Sequence, residues 1–207
     1  MNKTIKTQKY SIRALFMPDT INEEERTIEV TFATNAPYRR YIWTDRGPEL
    51  VNEILEFGQK NVRMDRLNAS APLLNNHNRY GGVQDNVLGV VEKAWLDKNE
   101  GRAIVRFSKR ENAAAIFEDV QDGILRNISV GYKVYKYERE KGQEVDTFRA
   151  VDWEPFEISL VDVPVDFKAQ IRSEENERID TQVVGDEQEE QVETIPNTYY
   201  AELKAKI

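Results

Sequence analysis

Histidine is the side chain that most restricts the chemistry open to this sequence, because His77 is the only histidine among 207 residues. An imidazole titrates near neutral pH, so it can accept the proton of a hydroxyl nucleophile and return it to a leaving group. The chain contains no cysteine, which excludes thiolate catalysis, disulfides and cysteine-based zinc sites. A two-histidine zinc site or a Ser-His-His triad within one chain is excluded as well.

The nucleophile that suits a histidine base is a serine, and Ser129 stands in a fitting pattern. In the predicted strand around it, apolar residues occupy alternate positions, and Ser129 shares the polar face with Asn127, Gly131 and Lys133. Gly131 leaves space beside the hydroxyl, and a serine needs an adjacent base before it attacks a carbonyl. A solvated strand serine and a surface loop histidine would give the same patterns, so both interpretations stay open at this point.

A carboxylate that orients the imidazole and stabilises its cation would complete a triad. Alternation in the strand after Pro155 places Glu157 and Ser159 on one face, away from the apolar positions. Glu157 is therefore the candidate for the third residue, with Asp152 and Asp162 as competing carboxylates. An exposed strand glutamate would show the same alternation, and the sequence alone does not show that the three groups meet.

Strands predominate among the elements that must position these residues. Period-2 alternation and apolar runs predict seven strands. They are Tyr10–Phe16, Thr27–Phe32, a short strand at 71–74 that enters the His77 loop, Leu88–Leu96, Ala103–Phe107, a strand after Ile124, and Phe156–Val163, which Pro164 stops.

Two helices are predicted between the strands. The first follows Gly47 and runs to Phe57, with apolar residues at three- and four-residue steps. The second opens at a capping box formed by Ser108 and Glu111 and ends at Gly123. Without a βαβ rhythm or an internal repeat, these elements predict a mixed but mainly antiparallel sheet or barrel.

Charge divides the chain into two predicted parts, a domain over 1–172 and a flexible tail over 173–207. The tail carries ten acidic and three basic residues, so it holds −7 of the net charge of −8. Such a segment buries too little apolar surface to offset its chain entropy. The nearly neutral remainder argues against nucleic-acid binding, and no apolar run of membrane-spanning length occurs. The polar N-terminus does not resemble a signal peptide.

Three sequence blocks, taken in order and spacing, resemble the prohead protease family of tailed bacteriophages. The first is APLLNNH at 71–77 followed by LGVV at 88–91, the second is DGILRNISVGY at 122–132, and the third is WEPFEISLVDVP at 153–164. The resemblance covers roughly residues 10–172. It implies a fold similar to the herpesvirus assembly protease, a small antiparallel β-barrel flanked by two or three helices.

The resemblance also implies roles for particular residues. The family's histidine corresponds to His77, its serine to Ser129 and its third catalytic residue to Glu157, where the herpesvirus relatives use a second histidine. By the same resemblance the oxyanion donors would be the backbone N–H groups of Val165 or Asp166, in the loop after the acidic strand. No cofactor or metal is implied.

The function implied is that of a serine endopeptidase that cleaves scaffold and capsid precursors, and itself, during prohead maturation. Its partners would be the phage major capsid protein and scaffold or delta-domain peptides, with a homodimer as a further expectation and neither nucleic acid nor membrane. It would act in the host cytoplasm, packaged inside the immature capsid. The tail between Arg172 and Ile207 would be a self-cleavage or docking segment.

Two other functions are consistent with parts of the sequence. A catalytically silent capsid scaffold or assembly factor could keep the same fold without the chemistry. A divalent-metal hydrolase could use His77 with carboxylates such as Asp85, although the chain has no HExxH or similar cluster. Removal of metal ions should leave a serine protease active, which distinguishes the last alternative.

Overall fold

The structure is a computed structural model. It describes residues 3–7, 10–16, 20–44, 47–162 and 179–184, and side chains within 20–44 and 47–162. The strands are β1 Lys3–Thr7, β2 Tyr10–Phe16, β3 Thr27–Thr34, β4 Tyr38–Thr44, β5 Gly47–Leu55, β6 Pro72–Asn75, β7 Val87–Asp97, β8 Glu100–Phe107, β9 Asn127–Glu140, β10 Thr147–Leu160 and β11 Ile179–Val184. The helices are α1 Asp65–Asn68, α2 Val83–Asn86 and α3 Glu111–Gln121.

All eleven strands belong to one sheet, in the order β1-β11-β9-β2-β3-β8-β7-β6-β10-β5-β4. Pairing is antiparallel except for three parallel contacts, which join β10 to β5, β10 to β6 and β11 to β9. In addition to this order, β9 pairs with β10 along most of both strands. Each strand in the series β9, β2, β3, β8, β7, β6 and β10 therefore pairs with the next, and the last pairs with the first.

The mainly β class with few helices is confirmed, but the prediction of a small closed barrel is wrong for the sheet as a whole. The sheet is open, with β1 and β4 as its outer strands. The reason is that the chain supplies more strands than the seven predicted. The β4–β5 hairpin extends the sheet beyond β10, and β11 with β1 extends it beyond β9.

The helix predicted after Gly47 is wrong, because this segment forms strand β5. Its apolar residues fit a strand as well as a helix: Val51 and Leu55 are buried, whereas Leu50 and Ile54 are half-buried. Pairing with β4 on one side and β10 on the other satisfies the backbone groups of the segment and decides between the two periods.

The predicted helix α3 is confirmed, although the capping box is not. Its N-cap is Arg110 rather than Ser108, and the Ser108 hydroxyl accepts a hydrogen bond from the Arg110 backbone N–H at 3.3 Å. Gly123 ends the helix as predicted, with φ of +69° and its N–H bonded to the Val120 carbonyl at 3.1 Å. Among the described residues no helix is long and apolar enough to cross a membrane.

The core lies between the strands and includes one buried ionic network. Trp153 packs edge-on against Tyr132, with ring centroids 5.7 Å apart. Nearby, the buried carboxylate of Glu53 accepts hydrogen bonds from Arg40 at 3.1 Å, from the Tyr132 hydroxyl at 2.6 Å and from the Tyr137 hydroxyl. This network ties the β4–β5 hairpin to β9.

Part of the segment predicted as a flexible tail forms strand β11, which lies between β1 and β9. The remainder of 173–207 lies outside the described residues. The division into a domain and a tail therefore stays a prediction.

The turn between β9 and β10 is stabilised by a carboxylate whose pKa is shifted. Burial alone would raise the pKa of Asp146, but hydrogen bonds from the Gly142 N–H at 3.0 Å and the Arg139 guanidinium at 2.6 Å, with the charge of Arg139, lower it below the ordinary value. Stability from such a group is present above the ordinary aspartate pKa and is lost as the pH falls through the lowered value.

We expect Asp146→Asn to reduce the free energy of unfolding at pH 7 by about 1 kcal/mol, because two charge-assisted hydrogen bonds weaken. The difference from wild type should shrink as the pH falls below about 4. Urea denaturation between pH 7 and pH 3 measures the free energy of unfolding of both proteins. Glu144→Gln, which removes a charge from an exposed position in the same turn, is the matched control, and equal losses in both variants would contradict the assignment.

Candidate active site

The antiparallel pairing of β9 with β10 brings two predicted site positions onto neighbouring strands. Ser129 lies opposite Ser159, and Gly131 lies opposite Glu157. Residues directly opposite each other share a face of the sheet, with Cβ atoms about 4.5–5.5 Å apart. The predicted nucleophile and the predicted acid therefore belong to one patch of the sheet.

His77 reaches the same patch because β6 pairs in parallel with the end of β10, with Leu74 opposite Ser159 and Asn75 opposite Leu160. Immediately after β6, Asn76 and His77 have φ of 55° and 57°, a left-handed conformation that is uncommon for residues other than glycine. The Asn76 N–H donates to the Leu160 carbonyl at 2.8 Å, which ties the turn to the end of β10.

The imidazole of His77 contacts Glu157 directly. Its Nδ1 lies 2.7 Å from Glu157 Oε1, and the glutamate side chain is almost fully buried, whereas that of the histidine is about a quarter exposed. An ionised carboxylate only accepts hydrogen bonds, so Nδ1 carries the proton and Nε2 is the basic nitrogen of the neutral ring. This tautomer follows from the contact rather than from an observed hydrogen.

The two competing carboxylates have other partners. Asp152 forms a bidentate pair with the Arg63 guanidinium, at 2.7 Å and 2.6 Å. Asp162 accepts a hydrogen bond from the Asn76 side-chain amide at 3.0 Å, on the turn that carries His77. Of the three carboxylates weighed from the sequence, Glu157 is the one that the structure places against the imidazole.

No role was predicted for Ser159, which the structure places between His77 and Glu157. Its hydroxyl accepts a hydrogen bond from the His77 backbone N–H at 3.1 Å and donates one to Glu157 Oε2 at 2.7 Å. The residue has no exposed surface. The one signal in the sequence was its place two residues after Glu157 on the same strand face.

Gly131 is also used differently from the prediction. A side chain at this position would overlap Oε1 of Glu157, so the space predicted beside the Ser129 hydroxyl is occupied by the carboxylate. Ser129 itself is only 1% exposed, and all of residues 128–132 are buried. Both faces of β9 are therefore covered at this point, and the face carrying Ser129 and Gly131 is not a solvated one.

Two cationic side chains border the strand that carries Glu157. The guanidinium groups of Arg66 and Arg79 lie over the ring of Phe156, at 5.5 Å and 5.7 Å from its centroid. Arg79 is exposed and follows His77 by two residues. Arg66 also lies 3.8 Å from the carboxylate of Glu154, which offsets its charge.

Three further residues were predicted, and one of them lies among the described residues. Val165 and Asp166, the predicted oxyanion donors, lie outside the described residues. Asp85 lies in the first turn of α2. Within the described part of the chain, no group of three or more histidine, cysteine, aspartate or glutamate side chains could hold a metal ion.

Two comparisons with known proteins found similar sequences. Residues 60–182, more than half of the chain, match the caudovirus prohead serine protease family. The chain is also 39% identical over 145 residues to a protein of Halomonas phage phiHAP-1 named major capsid protein. This match covers 69% of the chain but only 24% of that relative, so the chain spans about a quarter of its length. No solved structure matches, so the herpesvirus-like fold stays a prediction. From the family match, this chain belongs to the caudovirus prohead serine protease family.

Proposed function

We propose that this protein is a serine endopeptidase that cleaves scaffold and capsid precursor proteins, and itself, during maturation of the phage prohead. The observation that carries the proposal is the 2.7 Å contact between His77 Nδ1 and Glu157, formed beside the cross-strand pair of Ser129 and Ser159. Family membership supports the same chemistry and connects it with capsid assembly.

In the first half of the reaction, Ser129 Oγ attacks the carbonyl carbon of the scissile peptide bond, and Nε2 of His77 takes the hydroxyl proton. Glu157 keeps its bond to Nδ1–H and stabilises the positive charge on the ring. The tetrahedral intermediate then collapses, the C–N bond breaks, and the proton on Nε2 passes to the leaving amine. The product is an ester between Ser129 and the N-terminal part of the substrate.

In the second half, a water molecule attacks the ester carbonyl while Nε2 of His77 accepts a proton from it. The C–O bond to Ser129 breaks, and the proton returns to Oγ, which restores the enzyme and releases a carboxylic acid. The negative oxygen of both intermediates needs preorganised donors. We assign this role to the backbone N–H of Val165 or Asp166, since Pro164 has no N–H to donate.

The substrates in this proposal are capsid proteins. The relative from Halomonas phage phiHAP-1 carries the name of a major capsid protein over a chain about four times the length of the matched segment. We therefore propose the major capsid protein and scaffold or delta-domain peptides as partners, and action inside the immature capsid in the host cytoplasm. A homodimer and self-cleavage between Arg172 and Ile207 belong to the same proposal.

The name of that relative also favours one alternative, a catalytically silent assembly factor with the same fold. The buried position of Glu157 weighs against it. Burial of a carboxylate raises the free energy of the folded state unless the group is hydrogen-bonded. A chain that did not use the contact with His77 would gain little from a buried glutamate at this position.

We expect Ser129→Ala and His77→Ala each to reduce cleavage of a capsid precursor at least about a thousandfold, because either change removes a group that takes part in bond making. Glu157→Gln should reduce it as well, since the amide does not stabilise the imidazolium. Intact-mass spectrometry of the precursor and of the protein's own tail measures the cleavage. Ser108→Ala, just before α3, is the control. Undiminished cleavage by Ser129→Ala and His77→Ala would contradict the Ser-His assignment, and absence of cleavage by the wild type as well would leave the assembly-factor alternative.

Removal of divalent metals distinguishes the serine mechanism from a metal hydrolase. We expect incubation with EDTA and dialysis to leave the rate of precursor cleavage unchanged, because no step proposed above uses a metal. The same mass assay provides the measurement. Loss of activity that zinc or magnesium restores would contradict the Ser-His-Glu assignment.

Gly131→Ala tests whether the position of the carboxylate matters. The new methyl group would overlap Glu157 Oε1 and displace it from Nδ1 of His77. We expect kcat to fall about tenfold to a hundredfold, which is the usual effect of misplacing a catalytic group by about 1 Å. Gly82→Ala is the control, because it adds the same methyl group beside the exposed side chain of Asp85. An unchanged kcat would contradict the role of Glu157.

A further inference from the structure

Ser159 has contacts that neither a nucleophile nor an ordinary strand serine would make. Its single hydroxyl connects two parts of the chain, since it accepts from the backbone of His77 and donates to the carboxylate of Glu157. These two residues are 80 positions apart in the sequence. One side chain therefore holds both the turn that carries the imidazole and the acid that faces it.

The same contacts argue against Ser159 as the attacking group. Its proton is donated to Glu157 Oε2, and the backbone N–H of His77 occupies one lone pair of the oxygen. A nucleophile needs its proton directed at the base, whereas here the proton is directed at the acid. Ser129 lies opposite Ser159 across the two strands.

Each contact of Ser159 fixes a different degree of freedom. The bond to Oε2 holds one carboxylate oxygen, so that Oε1 is left pointing at Nδ1 of His77. The bond from the His77 N–H supports a backbone with φ of 57°, which is sparsely populated and persists only where its surroundings hold it. Without the hydroxyl, a buried carboxylate oxygen would lose its donor and the His77 N–H would lose its acceptor.

We propose that Ser159 is a positioning residue, which holds His77 as the Nδ1–H tautomer by fixing the His77 backbone and the Glu157 carboxylate together. This proposal depends on the proposed function only where it predicts an effect of Ser159 on the rate of cleavage. Its effect on the imidazole can be measured in a protein that has no activity.

The single histidine of this chain makes that measurement direct, because long-range ¹H–¹⁵N correlation spectra contain the signals of one imidazole. In the Ser129→Ala background we expect the Nδ1–H tautomer alone. In Ser129→Ala/Ser159→Ala we expect a mixture of tautomers, since the carboxylate is no longer held at Nδ1. Identical spectra from the two proteins would overturn the proposal, whatever the activity of the wild type.

Cleavage kinetics supply the second test. We expect Ser159→Ala to lower kcat about tenfold to a hundredfold while KM changes less than about threefold, because substrate contacts are kept and only the orientation of the base is lost. Ser159→Thr keeps a hydroxyl and should recover most of kcat. Thermal unfolding of both variants checks that the fold is intact. Wild-type kcat in a folded Ser159→Ala would overturn the proposal.

A serine-directed sulfonyl fluoride separates failure of this proposal from failure of the proposed function. We expect the reagent to label Ser129 in the wild type, and to label Ser129 more slowly in Ser159→Ala. Labelling of Ser159 instead would overturn the positioning role and the choice of nucleophile together. If neither serine is labelled and no precursor is cleaved, the proposed function fails, whereas the tautomer measurement still decides the role of Ser159.

Discussion

The register between β9 and β10 is the constraint on which the rest of the site depends. A slip of one residue in a strand turns every side chain to the opposite face. On the inner face of this pair Val130 lies opposite Ile158, and both are fully buried in the core. On the other face Ser129 lies opposite Ser159. Apolar packing therefore fixes the alignment, and the polar residues between the packed positions meet as a consequence.

Two buried carboxylates show how the same sheet uses charge in different ways. Glu53 has a guanidinium and two tyrosine hydroxyls around it, so its charge is neutralised by Arg40 within the core. Glu157 has the Ser159 hydroxyl and the His77 imidazole as its partners. Such a carboxylate gains most when the ring becomes charged. The first arrangement connects β4, β5 and β9, whereas the second is suited to stabilise the imidazolium of the proposed reaction.

Features that depend on neighbouring residues in the sequence could be predicted, whereas features that depend on the pairing of distant strands could not. Strand alternation, the Gly123 helix end and the candidate residues all follow from neighbours in the sequence, and the structure contains the predicted strands and α3. The helix predicted after Gly47 was wrong because residues spaced by four, such as Val51 and Leu55, share a face of a strand as well as of a helix. Pairing with β4 and β10 decides between the two. The contacts of Ser159 could not be predicted because its hydrogen-bond acceptor and donor come from two separate segments.

The separation of the site residues in the sequence determines the stage of folding at which the site forms. The contacts of His77 with Glu157 and Ser159 join segments that are far apart in sequence. β10 is the strand with which β5, β6 and β9 all pair. Long-range pairings of this kind form only after the entropy of closing large loops has been overcome. A nascent or half-folded chain thus has the three groups but no assembled site. In the proposed mechanism, completion of folding would therefore be the step that brings the three groups together.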